Sequence, residues 1–220
     1  TMSLLTQMMG LTVQNFVSAA SGMAALVALI LGLARNLSQT VGNFWVDITR
    51  SILYILLPLA VVLSLLLVSQ GVVQTLRPSV TVPLLQAAID GEGRPITQQE
   101  IPLGPVASQV AIKQIGTNGG GFFNANSAHP LENPTPISNA LELLAILLIP
   151  AALCYTFGKM VGDTRQGRAI LAAILVIFIP LLILCLWSEQ AGNPVLAGLG
   201  ADQAASNLQP GGNMEGKEAR

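Results

Sequence analysis

Long apolar stretches without charged side chains dominate the hydrophobic pattern of this chain. No Asp, Glu, Lys, Arg or His occurs in residues 1–34, 51–76 or 169–188, and only Glu142 interrupts residues 133–158. Each stretch can supply the roughly 20 residues with which a helix crosses about 30 Å of hydrocarbon. The pattern therefore predicts four transmembrane helices.

The four predicted spans have apolar cores at residues 16–34, 52–68, 140–157 and 169–187. Pro58 removes one helical hydrogen bond from the second span, so we expect a kink there. Asn139 and Glu142 before the third span have the spacing of a capping box, and we expect Glu142 to cap that helix. The alternative is that Glu142 is a functional carboxylate within the membrane.

The long connection between the second and third spans, residues 70–139, changes character along its length. Residues 77–102 are polar and rich in Gly, Pro and Gln, which predicts an irregular extracellular loop. From Pro105, apolar residues recur at helical spacing and predict a helix over about residues 105–114. About ten residues at about 1.5 Å each give roughly 15 Å, so this helix can enter a membrane but cannot cross it.

A glycine-rich segment, residues 115–124, follows this short helix. Gly116, Gly119, Gly120 and Gly121 fall within six positions, a density that disfavours helix. Glycine allows φ of either sign, so successive carbonyls can turn toward one axis. Irregular backbone at membrane depth occurs where it lines a cavity or is buried in protein, and carbonyl oxygens there can replace the hydration shell of a cation. The order of span, half-helix, glycine-rich strand and span is typical of a re-entrant pore unit.

Two other interpretations of the glycine-rich segment are a packed turn and a phosphate-binding loop. A phosphate-binding loop follows a strand, precedes a helix and usually carries a Lys, and this segment has none of these features. The favoured fold class is therefore an all-α integral membrane protein with four transmembrane helices, one re-entrant pore helix and a glycine-rich filter loop.

Composition and charge exclude several other classes. Only 10% of residues are charged, against about 25% in soluble domains. The net charge of -1 provides no basic surface for nucleic acid. Cys154 and Cys185 lie in separate apolar stretches without CxxC spacing, and the single His129 has no cluster of ligands around it, so we expect neither a disulfide nor a transition-metal site. The start, Thr1-Met2, suggests a piece of a longer chain.

The basic residues predict the orientation in the membrane. Five of the ten Lys and Arg residues lie in two short connections, residues 35–50 and 158–168. Short basic connections favour the cytoplasmic side, so both chain ends and residues 70–139 are expected outside the cell.

Two motifs carry a resemblance to a known family. Residues 115–130, Ile-Gly-Thr-Asn-Gly-Gly-Gly-Phe-Phe-Asn-Ala-Asn-Ser-Ala-His-Pro, and residues 132–136, Glu-Asn-Pro-Thr-Pro, closely resemble the second filter region of the KdpA family. KdpA proteins are the potassium-binding subunits of the Kdp potassium-transporting ATPase. Residues 9–20 and 212–220 are similar to the stretches after the first and before the third filter of that family. The resemblance follows the whole chain in order, but covers less than half of a full family member.

The family has four span, pore and span repeats whose filter loops together surround potassium. The resemblance divides the chain into the end of repeat one with its second span (1–34), a complete repeat two (35–157, with outer loop 70–139, pore helix about 105–114 and filter 115–124), the cytoplasmic connection and first span of repeat three (158–187), and an extracellular segment leading to the next filter (188–220).

The resemblance also implies roles for individual residues. The expected potassium ligands are the backbone carbonyls of Thr117, Asn118, Gly119, Gly120 and Gly121. The expected supports of the filter are Gly116, Phe122, Phe123 and Asn124, with the two aromatic rings packing rather than touching the ion. Lys113 lies near the end of the half-helix, where it can interact with the last carbonyls. Facing the ion it would oppose the cation, so we expect it to point away from the ion. We expect His129 to be a hydrogen-bonding loop residue.

The implied function is that of a potassium-binding and translocating, channel-like subunit of an ATP-driven potassium uptake pump. The chain has neither a GxxxxGK[ST] loop nor a DKTGT-type phosphorylated Asp, so it is not expected to be an enzyme by itself. The resemblance implies a P-type ATPase catalytic subunit and small accessory membrane subunits as partners in the cell membrane, with K+ as the transported ion and no organic cofactor. The alternatives are a potassium channel or ion-gradient-driven transporter of the same architecture, or a non-conducting membrane scaffold.

Overall fold

The computed structural model describes residues 3–34, 40–89, 91, 93–205 and 211–212. Several parts of the sequence interpretation lie outside these residues. They include Thr1 and Met2, Arg35 from the first predicted cytoplasmic connection, and residues 206–210 and 213–220 from the last segment.

The described residues form seven α-helices, two π-helical stretches and one β-hairpin. The first helix begins as a π-helical stretch, Thr6–Leu11, and continues as α1, Thr12–Ala34. One continuous helix follows, made of α2 (Phe44–Arg50), a π-helical stretch (Ser51–Leu56) and α3 (Leu57–Ser69). The remaining elements are β1 (Ser79–Ile89), β2 (Pro95–Pro102), α4 (Val106–Ile115), α5 (Pro136–Met160), α6 (Thr164–Ala191) and α7 (Pro194–Gly198).

The prediction of a four-span, mostly helical membrane protein is confirmed. Among the described residues, four helical segments are long and apolar enough to cross a membrane: Thr6–Ala34, Phe44–Ser69, Pro136–Met160 and Thr164–Gly198. They extend beyond the predicted apolar cores because polar side chains cap their ends. Asn43 accepts a hydrogen bond from Val46 N at the start of α2, and Asp163 accepts one from Arg165 N at the start of α6.

The predicted cap of the third span is wrong. α5 begins at Pro136, and its capping box joins Thr135 with Ser138, each side chain accepting from the backbone N–H of the other. Proline suits the first helical position because its fixed φ matches the helix. The helix therefore begins before Asn139, and Glu142 lies well inside it, only 3% exposed.

The helix around Pro58 adapts by widening rather than by ending. Leu57 N donates to Ile52 O, five residues earlier, at the end of the π-helical stretch. Proline has no N–H, and its ring crowds the preceding turn of an α-helix. A wider turn before Pro58 accommodates that ring within a continuous helix.

The outer connection contains a β-hairpin where we predicted an irregular loop. β1 and β2 pair antiparallel, with Ser79 opposite Pro102 and Ile89 opposite Pro95. The β-branched run 80–82, Val-Thr-Val, favours a strand and is the signal that the polar composition obscured. The pairing is irregular after Pro83, which cannot donate to the ladder.

The apolar core surrounds α4, which contacts α1, α3 and α5. The core side chains from these four helices include Phe16, Ala20, Leu63, Val106, Val110, Ala111 and Ile149. α6 contrasts with them, because Gly167 is the single buried residue of that helix. The short helix predicted to enter the membrane is thus the most enclosed element.

Candidate functional site

The glycine-rich loop is positioned by α4. A helix of ten residues, Val106–Ile115, stands where we predicted one over residues 105–114. Seven of its residues are buried: Val106, Ala107, Gln109, Val110, Ala111, Gln114 and Ile115. Because α4 is packed on three sides by longer helices, it provides a fixed base for the loop at its C-terminal end.

The segment that holds α4 and the loop begins and ends at the same end of the helix bundle. Thr75 N donates to Gly104 O over 3.0 Å, and Val73 N donates to Leu131 O over 3.3 Å. Both donors belong to the backbone that follows α3. Residues 104–131 therefore leave and return beside the end of α3.

The first part of the loop, residues 117–119, presents free carbonyl oxygens, and we call it the open half. Thr117 N donates to Gln114 O over 3.0 Å, and the N–H groups of Asn118 and Gly119 each donate to Lys113 O over 3.2 Å. These bonds satisfy carbonyls at the C-terminal end of α4. Within the described part of the chain, no group donates to the carbonyl oxygens of Thr117, Asn118 or Gly119. Their oxygens are thus available to a ligand.

The second part of the loop, residues 120–123, is held by side chains, and we call it the clamped half. Gly120 O accepts from Gln114 Nε2 over 3.2 Å and from Ser127 Oγ over 3.0 Å. Gly121 O accepts from Lys113 Nζ. The carbonyls of Gly120 and Gly121 are therefore engaged within the protein.

A buried carboxylate holds the amide side of the clamped half. Glu132 is 0% exposed, and its Oε2 accepts from Phe122 N and, over 3.1 Å, from Phe123 N. Hydrogen bonds from backbone N–H groups to a charged acceptor are stronger than those to a neutral one. Glu132 therefore fixes the point at which the loop turns away from α4.

Lys113 contacts the clamped half of the loop. Its ammonium group donates to the Gly121 carbonyl. Its expected orientation away from a bound ion stays a prediction. Burial lowers the pKa of Lys113, and the nearby Glu132 carboxylate opposes that shift. The sequence analysis placed Lys113 near the last carbonyls of α4 and did not identify the Gly121 carbonyl and the Glu132 carboxylate as its neighbours.

The glycines of the loop serve two different purposes. Gly119 and Gly120 have φ of +70° and +93°, in the left-handed region that glycine adopts without strain. Gly116 and Gly121 are needed for space. A Cβ on Gly116 would lie 2.9 Å from Asn15 O of α1, and one on Gly121 would collide with the Glu132 carboxylate.

Non-glycine residues of the same segment also adopt left-handed backbone. Positive φ values occur at Thr117 (59°), Asn124 (61°), Asn126 (48°) and Ser127 (63°). Asn tolerates this region, but a β-branched residue such as Thr117 is an outlier there. Backbone strain of this kind persists only where surrounding contacts enforce it, and it concentrates at functional sites.

A buried polar layer connects the loop to α5. Gln114 Nε2 also donates to Glu142 Oε2 over 3.2 Å, so the carboxylate that we had assigned to a cap belongs to this layer. Gln114, Ser127 and Glu132 were missed as site residues by the sequence reasoning. A carboxylate in the proline-rich stretch directly after the loop was the available signal for Glu132.

Aromatic rings and α1 complete the surroundings of the loop. Phe122 and Phe123 pack edge to face with ring centroids 5.1 Å apart, and the His129 ring lies 4.3 Å from that of Phe123. His129 Nδ1 accepts from Leu131 N, which confirms its predicted place in a hydrogen-bonded loop. Ser18 Oγ of α1 hydrogen-bonds the side-chain amide of Asn118 over 3.1 Å.

Comparison with known proteins places this chain among proteins of one family. Residues 1–220 match the family described as potassium-transporting ATPase A subunit, KdpA. The chain is 68% identical over 220 residues to proteins named potassium-transporting ATPase potassium-binding subunit from Herpetosiphon aurantiacus and from Sorangium cellulosum, covering 100% of this chain and 38% of each relative. A protein of the same name from Methylococcus capsulatus is 60% identical over 240 residues, covering 100% of this chain and 39% of the relative. The chain thus spans well under half the length of these relatives.

Proposed function

The chain belongs to the family of potassium-transporting ATPase A subunits, and from this premise we propose that its glycine-rich loop supplies part of a potassium-binding site in a membrane pump. The observation that carries the proposal is the open half of the loop, residues 117–119, whose carbonyl oxygens accept no hydrogen bond from the described residues. Backbone carbonyls of this kind can replace the hydration shell of K+.

The division of the loop sharpens the assignment of ligands. Of the five carbonyls expected from the resemblance, those of Thr117, Asn118 and Gly119 are free to face an ion. Those of Gly120 and Gly121 accept hydrogen bonds from Gln114, Ser127 and Lys113, so we assign them to support.

Further support comes from residues on both sides of the open half. Gly116 allows the close approach of α1, the rings of Phe122 and Phe123 pack against each other, and Asn124 turns the backbone with a φ of +61°. In our proposal these residues help to hold the open half in place.

The location of the loop supports a re-entrant pore unit. Residues 104–131 leave and return beside the end of α3, and α4 lies among α1, α3 and α5. The C-terminal end of a helix carries a partial negative charge, which favours a cation at that end. One loop supplies only part of a coordination shell, so the complete site requires further loops of the longer protein.

The whole protein is proposed to work as one subunit of a larger assembly. The relatives, of which this chain spans 38%, are named as potassium-binding subunits of a potassium-transporting ATPase. In our proposal K+ is the transported ion, and ATP is hydrolysed by a partner P-type ATPase subunit. Small accessory membrane subunits complete the complex. The chain itself contributes ion binding and part of the pathway.

The test of the ion site is Gly119→Ala in the full-length subunit assembled with its partners. A Cβ on Gly119 meets no atom within 4 Å, so the cost comes from its φ of +70°. Left-handed backbone costs an alanine roughly 1 to 2 kcal/mol, and relaxation of φ would tilt the carbonyl. We expect the K+ concentration that half-saturates the stimulation of ATP hydrolysis to rise roughly 5- to 30-fold.

The matched control is Gly162→Ala in the turn between α5 and α6. Gly162 has a φ of +81° and also open space around its Cβ position. Gly104 is unsuitable as a control, because its Cβ would lie 2.5 Å from the Phe122 ring. Equal K+ dependence of the Gly119→Ala complex and the wild-type complex would contradict the assignment of the open half to the ion site.

The orientation in the membrane is a separate prediction with its own test. α5 begins beside Gln70 and continues for 25 residues, roughly 37 Å at about 1.5 Å per residue. Gln98 in β2 and Gln166 in α6 are both exposed. In a background without Cys154 and Cys185, we expect a cysteine at Gln98 to react with an impermeant reagent only from outside, and one at Gln166 only from the cytoplasm. Labelling of both from one side would refute this topology.

A further inference from the structure

We propose that Lys113 and Glu132 together fix the orientation of the peptide group between Gly121 and Phe122, and that this makes them positioning residues for ion selectivity. The inference rests on the proposed function of the loop, because it assigns these two charged side chains to the same ion site.

The two charged side chains contact opposite ends of one peptide group. The ammonium of Lys113 donates to the oxygen of Gly121, and the N–H of Phe122 donates to the carboxylate of Glu132. A peptide group is partially negative at its oxygen and partially positive at its N–H. The cation therefore faces the negative end and the anion faces the positive end.

Reversal of this peptide group would bring like charges together. The carbonyl oxygen would then point at the Glu132 carboxylate, and the N–H would point at the Lys113 ammonium. Glu132 is fully buried and Lys113 is half-buried, so water screens neither contact well. The two charges therefore select one of the two peptide orientations.

Gly121 offers little local resistance to this reversal. A reversal rotates ψ of Gly121 and φ of Phe122, and because Gly121 has no Cβ, its backbone tolerates either orientation. Gly121 is two residues from the last carbonyl of the open half, and a reversal would also release its oxygen from its donor. The charged pair thus adds to the resistance that the Phe122 side chain offers on the other side of the peptide.

A simpler role for Lys113, neutralising the C-terminal end of α4, does not account for the contact. Cations near a helix C-terminus interact favourably with the last carbonyls of the helix. Lys113 Nζ instead contacts an oxygen eight residues further along the chain. The missing Cβ of Gly121 is also what leaves room for the Glu132 carboxylate.

The test uses Lys113→Gln, Glu132→Gln and the double variant in the full-length subunit of the complete complex. Each substitution keeps a polar amide but removes one charge. We measure the half-saturating K+ concentration of ATP hydrolysis and the ratio of K+ to Rb+ and Na+ stimulation. Each single variant is expected to raise the half-saturating K+ concentration at least about fivefold, which corresponds to about 1 kcal/mol. Each is also expected to lower the ratio of K+ to Rb+ and Na+ stimulation.

The double variant distinguishes a charged pair from two independent residues. Because it removes both charges together, its loss should be no larger than that of the worse single variant. Lys159→Met, at the end of α5, is a control for removing a lysine elsewhere. Should one single variant not assemble, the other single variant and the double variant carry the same comparison with the wild-type complex.

Two results would overturn the proposal. The first is a K+ dependence and an ion ratio in the charge-removing variants that equal those of the wild-type complex. The second is a double variant whose loss of K+ affinity equals the product of the two single-variant losses. If Gly119→Ala weakens K+ stimulation while these variants do not, only the role of the charged pair is wrong. If Gly119→Ala also has no effect, the ion site itself is wrong.

Discussion

The open and clamped halves of the loop differ in which backbone groups the protein satisfies. In residues 117–119 the N–H groups bind the end of α4, and the carbonyls receive no donor from the described residues. In residues 120–123 side chains engage the carbonyls of Gly120 and Gly121 and the N–H groups of Phe122 and Phe123. The comparison shows that side chains occupy the carbonyls of Gly120 and Gly121 and leave those of residues 117–119 without a donor from the described residues.

The same comparison explains why one residue type serves both halves. Gly119 is needed for its backbone conformation, whereas Gly121 is needed for the space that Glu132 occupies. A site must hold its ligands near the productive geometry through supporting contacts that are themselves fixed. Substitutions in the two halves should therefore fail for different reasons.

The largest effect is expected from Gly121→Ala in the clamped half. The new methyl group collides with the Glu132 carboxylate, which would have to leave two backbone N–H groups. Hydrogen bonds to charged groups contribute about 1.5 to 3 kcal/mol each. We expect the half-saturating K+ concentration for ATP hydrolysis by the complete complex to rise roughly 30- to 150-fold. This corresponds to a loss of about 2 to 3 kcal/mol in the free energy of K+ binding.

A size exchange tests whether the collision is the cause. Glu132→Asp shortens the side chain by one methylene while keeping the carboxylate, so Gly121→Ala with Glu132→Asp should recover part of the lost K+ affinity. Gly198→Ala in α7 is the control for adding a methyl group where no atom lies within 4 Å. A double variant as weak as the more impaired single variant would show that space beneath Gly121 is not the limiting feature.

Local patterns in the sequence were sufficient to locate the loop but not the contacts that hold its clamped half. The spacing of Ala107, Val110 and Ala111 and the density of glycine after them depend on neighbours along the chain, so the half-helix and loop could be located. The contacts of the clamped half depend on how the loop folds back onto α4. Spacing along the chain does not reveal which donors and acceptors then meet, so the contacts of Lys113, Gln114 and Glu132 with the loop were missed.

The boundaries of the helices show the same limitation. We placed the start of the third span by charge and by the spacing of Asn139 and Glu142, but Thr135 and Ser138 cap the helix earlier. Apolar composition also identified each span by its centre, while Asn43 and Asp163 decide where α2 and α6 begin. The hairpin was missed because its polar residues are exposed and only a short run is β-branched.

An intermediate effect is expected from Ser127→Ala, which loosens the clamped half at one carbonyl. Gly120 O would lose the Ser127 hydroxyl but keep the amide of Gln114. A neutral hydrogen bond contributes about 0.5 to 1.5 kcal/mol, so we expect K+ stimulation to weaken roughly 2- to 10-fold. Ser69→Ala is the control, since Ser69 Oγ donates to Leu66 O of its own helix. A loss as large as that of Gly121→Ala would show that the two carbonyls are not held independently.

The smallest effect is expected from Ser18→Ala, which acts on the open half from α1. Ser18 Oγ hydrogen-bonds the side chain of Asn118, whereas the proposed ligand is the backbone carbonyl of that residue. The contact is exposed, so its loss should cost about 0.5 kcal/mol and weaken K+ stimulation about twofold. Ser21→Ala, three residues further along α1, removes a hydroxyl that donates to Ser18 O within the helix and should leave K+ stimulation unchanged. A loss above about tenfold for Ser18→Ala would mean that the open half depends strongly on its contact with α1. The distinction between the open half and the clamped half would then no longer stand.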